Sequence, residues 1–146
     1  MEPLELKFAV DASAEHAFEL WATKIDLWWP RGHTVSREPG LTVTFEPRSG
    51  GRIYERTPSG EEHEWGEVVI WEPPTRLAYL WHLMFDRRDA TEVEVTFTPE
   101  GGKTTVTIEH RGWERLGADG AIRRDRTRHG WGAIVPSYQA AVGRSI

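Results

Sequence analysis

Chemistry in this chain would come first from its six histidines, since imidazole alone changes charge near neutral pH without help. His110 ends an alternating run from Thr104 and is followed by Arg111-Gly112-Trp113. Facing inward, its ring could donate a hydrogen bond to a polar ligand group or act as an acid or base. The plainer alternative is a strand-end histidine satisfied by backbone. His82 falls on the face opposite Trp81 and is expected outward. His63 stands beside Glu64, but the stretch from His63 to Glu67 lacks the second histidine of a zinc-binding helix. His33 and His129 have no partner at metal-ligand spacing, so no metal site is expected. Glu67 is the one acidic residue inside an apolar strand. In one register it shares a face with Trp65, Val69 and Trp71. Burial would then raise its pKa and make it a catalytic candidate. In the other register Gly66, Val68 and Ile70 point inward and Glu67 outward, and this is the preferred one.

The other unusual residues are aromatic. Eight tryptophans occur in 146 residues. A tryptophan is bulky and carries one N–H that needs a partner. Such a set means a bulky core or a pocket for flat apolar molecules. Trp28 and Trp29 form either a lid at a pocket mouth or a plug at the end of a sheet. Arginines 123, 124, 126 and 128 invite a nucleic-acid or phosphate reading, but Asp119 and Asp125 sit among them. The net charge of -5 also disfavours a nucleic-acid partner. No Ser nucleophile elbow, phosphate-binding loop or dinucleotide fingerprint is present, and no cofactor is expected. No cysteine occurs, which excludes disulfides and thiolate chemistry.

These residues must be positioned by extended elements and few helices. The length suits one domain, expected over residues 1–146. No apolar run approaches the roughly 18 residues of a membrane span, and the start lacks a signal-peptide pattern, so a cytoplasmic protein is expected. Leu4, Leu6, Phe8 and Val10 alternate with polar neighbours, as in a half-buried strand. Ser13 is placed to cap a helix carrying Ala14, Ala17, Phe18, Trp21 and Ile25 on one stripe. Asp26 opens a short second turn ending at Pro30 and Gly32. Six strand-like runs follow. The central pair spans Trp65 to His82 as a long hairpin around Pro73-Pro74, which cannot lie inside a central strand. On its second run Leu77, Tyr79, Trp81 and Leu83 share one face. From about Asp119 the spacing turns helical, with Ile122, Trp131, Ile134, Val135, Tyr138, Ala141 and Val142 marking one side. Gly132 and Pro136 predict a bend there.

This order predicts a cavity. Seven strands about 4.8 Å apart make a sheet roughly 30 Å across. One helix is only about 10–12 Å wide. It cannot cover that face alone, so the sheet must curl around it while two short helices plug one end.

The order of elements, together with particular residues, resembles the START-related ligand-binding superfamily, whose helix-grip fold is shared with the birch-pollen allergen. Within it the chain is most similar to the branch named after the C-terminal domain of the activator of heat shock protein 90 ATPase. The matching pieces are Phe18-Glu19-Leu20-Trp21 with Trp28-Trp29-Pro30; Gly50-Gly51-Arg52; and Gly66-Glu67-Val68 leading to Pro73-Pro74-Thr75-Arg76-Leu77 and Trp81. Thr104 to His110 and Gly130-Trp131 complete them, while Gly132 and Pro136 depart from the pattern. The resemblance implies an α+β fold, with a curved seven-stranded antiparallel sheet around a long C-terminal helix. It implies a small-molecule cavity but no one chemistry. The co-chaperone function belongs to longer proteins with an additional N-terminal domain and is not expected here.

The first reading is a binding module for a small apolar or aromatic molecule, its wall built by Trp28, Tyr79, Trp81, His110, Trp113 and Trp131. A polyketide cyclase or aromatase-type enzyme is the second, requiring Glu67, His110 or Tyr79 deep inside with a displaced pKa. A protein-interaction domain using exposed apolar surface, such as a chaperone adaptor, is the third. A homodimer is left open.

Overall fold

The structure, a computed structural model, describes residues 1–144; Ser145 and Ile146, which the expected domain includes, lie outside the described residues. Strand β1 (Leu4–Val10) leads into helix α1 (Ala14–Trp21). Ser13 caps that helix, its hydroxyl accepting from the His16 N–H at 3.1 Å. A single 3₁₀ turn follows at Ile25–Leu27, shorter than the expected second helix. Then come β2 (Thr42–Phe45), β3 (Arg52–Arg56), β4 (Glu62–Glu72), β5 (Arg76–Trp81), β6 (Thr91–Glu100) and β7 (Lys103–Arg111). The long helix α2 (Gly120–Arg144) closes the chain.

All seven strands form one antiparallel sheet in the order β1-β7-β6-β5-β4-β3-β2, so the β4–β5 hairpin lies at its centre. This is the helix-grip arrangement.

Glu67 points outward, as preferred, but neither simple register describes β4. Pairing passes from Ile53↔Gly66 to Tyr54↔Glu64, leaving Trp65 as an extra residue. It passes again from Val68↔Tyr79 to Ile70↔Ala78, leaving Val69 extra. Each bulge resets the alternation of faces. Trp65 and Trp71 therefore both reach the concave side, where they meet Trp29 and Phe18. Glu67, between them, pairs with Leu80 and forms an ion pair with Arg87. Gly66 must be glycine: a Cβ there would lie 2.0 Å from the Leu80 carbonyl oxygen.

The concave face is packed with aromatic rings. Trp21 contacts Trp28, Phe97, Trp131 and Tyr138. The Tyr138 hydroxyl donates to the Ala17 carbonyl at 2.7 Å and ties α2 to α1. Trp28 Nε1 donates to the Leu20 carbonyl at 2.7 Å. Much of the expected hollow is thus filled.

One carboxylate lies on this inner face. Glu55 is fully buried and accepts from the Val35 and Ser36 N–H groups, the Ser36 hydroxyl and Trp65 Nε1. Burial alone would raise its pKa. The hydrogen bonds from Ser36, Val35 and Trp65 outweigh that and hold it below the ordinary value.

Helix α2 runs on through Gly132 and Pro136. Both residues are exposed, so the Gly132 carbonyl that Pro136 leaves without a donor is open to water. Ile122 was expected on the apolar face but is 55% exposed. The first turns of α2 present arginines and Thr127 to the interior instead.

Candidate functional site

The space left between sheet and helix is a cavity of about 350 Å³ at one end of the fold. Register explains its position. Trp81 pairs with Thr91, and Val93 with His110, so the end of β5, the start of β6 and the end of β7 lie side by side. From above, Arg123, Thr127, Trp131 and Ile134 of α2 close it, repeating at helical spacing. The connection after β5 adds Leu83, Met84 and Phe85, and the segment after the 3₁₀ turn adds Trp29 and His33.

Of the six expected wall residues, Trp81, His110 and Trp131 line the cavity. Trp28, Tyr79 and Trp113 do not; the structure places them in the packed layer behind it. Trp28 sits among Trp21, Trp29 and Tyr138. Tyr79 packs edge-on against Phe45 and Trp81. Trp113 is fully buried, with its ring 4.4 Å from that of His110 and its Nε1 donating to the His110 carbonyl at 2.8 Å. For Tyr79, on β5, alternation reports the face of the strand and not how far along it the filling ends; Trp28 and Trp113 lie outside the strands. Of the pair expected as lid or plug, Trp28 is packed among aromatic rings and Trp29 lines the cavity.

His110 is 1% exposed and both of its ring nitrogens are engaged. Trp131 Nε1 lies 3.1 Å from Nδ1. An indole N–H can only donate, so Nδ1 carries the lone pair and Nε2 the hydrogen. Nε2–H then donates to the Thr91 hydroxyl at 2.7 Å, and that hydroxyl donates to the Trp81 carbonyl at 3.4 Å. One relay of N–H and O–H groups thus crosses from α2 through β7 and β6 to β5. Burial pushes the His110 pKa down to about 3, and the nearby Arg123 charge adds to this. His110 is a neutral member of the wall at physiological pH, with neither nitrogen free.

His82 lies on the other side of the sheet, as expected, but is buried at 5% exposure. Its Nε2 meets Glu64 at 3.1 Å, and Glu64 also pairs with Arg87. Glu67 joins this same outer cluster. The Tyr79 hydroxyl is desolvated, which raises its pKa despite a hydrogen bond from Trp21. Among the described residues no three His, Asp or Glu side chains converge as a metal site would require. No helix is long and apolar enough to cross a membrane.

Thr91 and Arg123 also line the cavity, and the sequence carries a signal for each. Thr91 continues the inward alternation of Val93, Val95 and Phe97. Arg123 stands eight residues before Trp131, about two helical turns, and so shares its side of α2. Arg123 is half-buried, donates to the Asp89 carbonyl at 2.7 Å and lies 3.7 Å over the Phe85 ring.

The arrangement matches known proteins over nearly its whole length. A self-sacrificing resistance protein, CalC from Micromonospora echinospora, is 27% identical, with 99% of this chain and 96% of that one covered at a TM-score of 0.72. The anthrahydroquino-Gama-pyrone synthase Txn09 is 35% identical, with 84% of each chain covered at a TM-score of 0.57. Protein MLL2253 from Mesorhizobium loti shares the fold at 19% identity, with 99% and 98% covered and a TM-score of 0.74. No curated protein sequence matches significantly. The family model described as activator of Hsp90 ATPase homolog 1-like protein matches residues 11–142. With its central hairpin, aromatic grip and C-terminal helix inside that match, the chain belongs to the activator of Hsp90 ATPase homolog 1-like family.

Proposed function

We propose that this protein binds a small aromatic or otherwise apolar molecule in the cavity between the β5–β7 end of the sheet and the first half of α2. The observation that carries the reading is a cavity of about 350 Å³ in an otherwise tightly filled core. It lies at the small end of ligand pockets, roughly 300–1,000 Å³. Its wall of Trp29, Trp81, Leu83, Trp131 and Ile134 suits a flat body of a few fused rings. Trp81, His110 and Trp131 are the wall residues we assign to ligand contact. Thr91 and Trp113 hold His110 in place as positioning residues.

Catalysis on that ligand is a second reading, favoured by the 35% identity to a protein described as a synthase. The expected acid–base groups do not support it. Glu67 faces outward, both His110 nitrogens are bonded, and Tyr79 lies behind the wall.

Gly130 supplies the test. It lines the cavity, and nothing lies within 4 Å of where its Cβ would be. Gly130→Leu adds a bulky side chain at the cavity wall while improving helix propensity. Intrinsic tryptophan fluorescence titrated with naphthalene-ring compounds is expected to respond in the wild type and to stay flat in the variant. Thermal stability should be equal or higher in Gly130→Leu. An identical response in both proteins would place binding elsewhere.

A further inference from the structure

The cavity's charge runs against that of the molecule. The chain carries 23 Asp and Glu against 18 Lys and Arg, for a net charge of -5. Yet no Asp or Glu side chain lines the cavity, while Arg123, Arg126, His33 and His129 do. Several arginines elsewhere are neutralised by carboxylates. Arg111 meets Glu92, Glu94 and Glu109, Arg87 meets Glu64 and Glu67, and Arg76 meets Glu72 and Glu94. Among the described residues, neither Arg123 nor Arg126 has a carboxylate oxygen within 4.0 Å, although the Asp89 charge lies near enough to favour the Arg123 guanidinium. Arg123 is also held in place: its Nη1 donates to the Asp89 carbonyl, and its guanidinium carbon lies over the Phe85 ring at the cavity's edge.

A guanidinium with part of its donor fork uncommitted is suited to a planar oxyanion. We propose that the ligand is an aromatic acid, its rings against Trp81 and Trp131 and its carboxylate or equivalent oxyanion at Arg123, with Arg126 adding charge at the mouth. This rests on the binding reading above and adds the ligand's charge. Burial between α2 and the 82–90 connection makes such a contact stronger than a surface ion pair. A preference of about tenfold over the uncharged analogue is the size expected of one hydrogen bond to a charged group.

Isothermal titration calorimetry of the full chain with 2-naphthoate and 2-naphthamide at pH 7.5 separates the two claims. The wild type is expected to bind naphthoate about tenfold more tightly than the amide. Arg123→Gln should abolish that preference by weakening naphthoate more than the amide, Arg126→Gln should reduce it, and Arg123→Lys should retain part of it. Added salt should weaken naphthoate binding alone. Equal wild-type affinities for acid and amide would overturn the inference and leave the cavity's binding role intact. So would a preference that survives both Gln variants. Failure of both compounds to bind the wild type would overturn the inference together with the reading beneath it. If circular dichroism shows Arg123→Gln unfolded, Arg126→Gln, changed at an exposed side chain, decides the matter by the same comparison.

Discussion

Protonating His110 would require Nδ1 to give up the Trp131 indole or break its bond, because both groups would then be donors facing each other. Burial opposes the charge as well, and the folded-state pKa is depressed to about 3. The sign follows from linkage. Below its ordinary value, about 6.5, the unfolded chain takes up a proton that the folded chain refuses. The His110 contribution to stability is therefore complete above that pH and is lost as pH falls toward the folded value. The slope is at most about 1.4 kcal/mol per pH unit for one proton. Urea unfolding of the wild type and of His110→Asn between pH 6.5 and 5 measures it: the wild type should lose stability on acidification faster than the variant. Parallel curves would show that the imidazole is not held neutral. The chemistry at this scale was only half legible beforehand. Alternation from Thr104 put His110 inside, and the same rule applied to Ile53 and Glu55 would have found the buried carboxylate. What alternation cannot give is the partner. Trp131 and Thr91 reach His110 from 21 and 19 residues away, and only the fold brings them together.

Among the elements, β4 departed furthest from its expected form. A bulge leaves no mark in composition. Trp65 and Val69 are ordinary strand residues, and their extra places appear only in the pairing with β3 and β5. Strict two-residue alternation therefore offered two registers for Glu67, each with some residues on the wrong face. In α2 the poor helix formers Gly132 and Pro136 do not end the helix. Propensity is outweighed when one side of a helix is buried by packing. Trp131, Ile134, Tyr138 and Val142 supply that packing, while Gly132 lies on the opposite, exposed side. Gly132 thus costs helix stability without serving the core. A Cβ there meets nothing within 4 Å, and no positive φ needs glycine. Gly132→Ala should stabilise the protein by about 0.5–1 kcal/mol in chemical denaturation, with naphthoate affinity unchanged. A loss of stability would mean that the helix needs glycine's freedom to pass Pro136.

For the molecule as a whole, the widths of sheet and helix are mismatched, but the mismatch alone does not dictate how the space is filled. A sheet of seven strands does curl about one long helix, and aromatic side chains take up most of the difference. Composition announced that filling through its eight tryptophans, yet it could not say at which end the filling stops. The two ends differ in what plugs them. At the Trp71–Leu77 end, Phe18 of α1 wedges between Trp71 and Phe97. At the Trp81–Thr91 end α1 does not enter, and the 82–90 connection, α2 and the segment carrying Trp29 and His33 border the gap. This asymmetry predicts where a ligand acts. Naphthoate at about 100 times its Kd should stabilise the fold by about 2.7 kcal/mol, which for this size raises Tm by roughly 2–4 °C per kcal/mol. Beyond that global effect, amides that exchange by local opening should slow at residues 81–91, 108–113 and 123–134. The competing location is a shallow groove at the opposite end, bordered by Phe18, Thr23, Trp71 and Pro73. Hydrogen exchange slowed around 15–23 and 71–74, with 81–91 unchanged, would move the ligand there. It would also separate ligand binding from Arg123 and from the His110 relay, since both lie at the Trp81–Thr91 end.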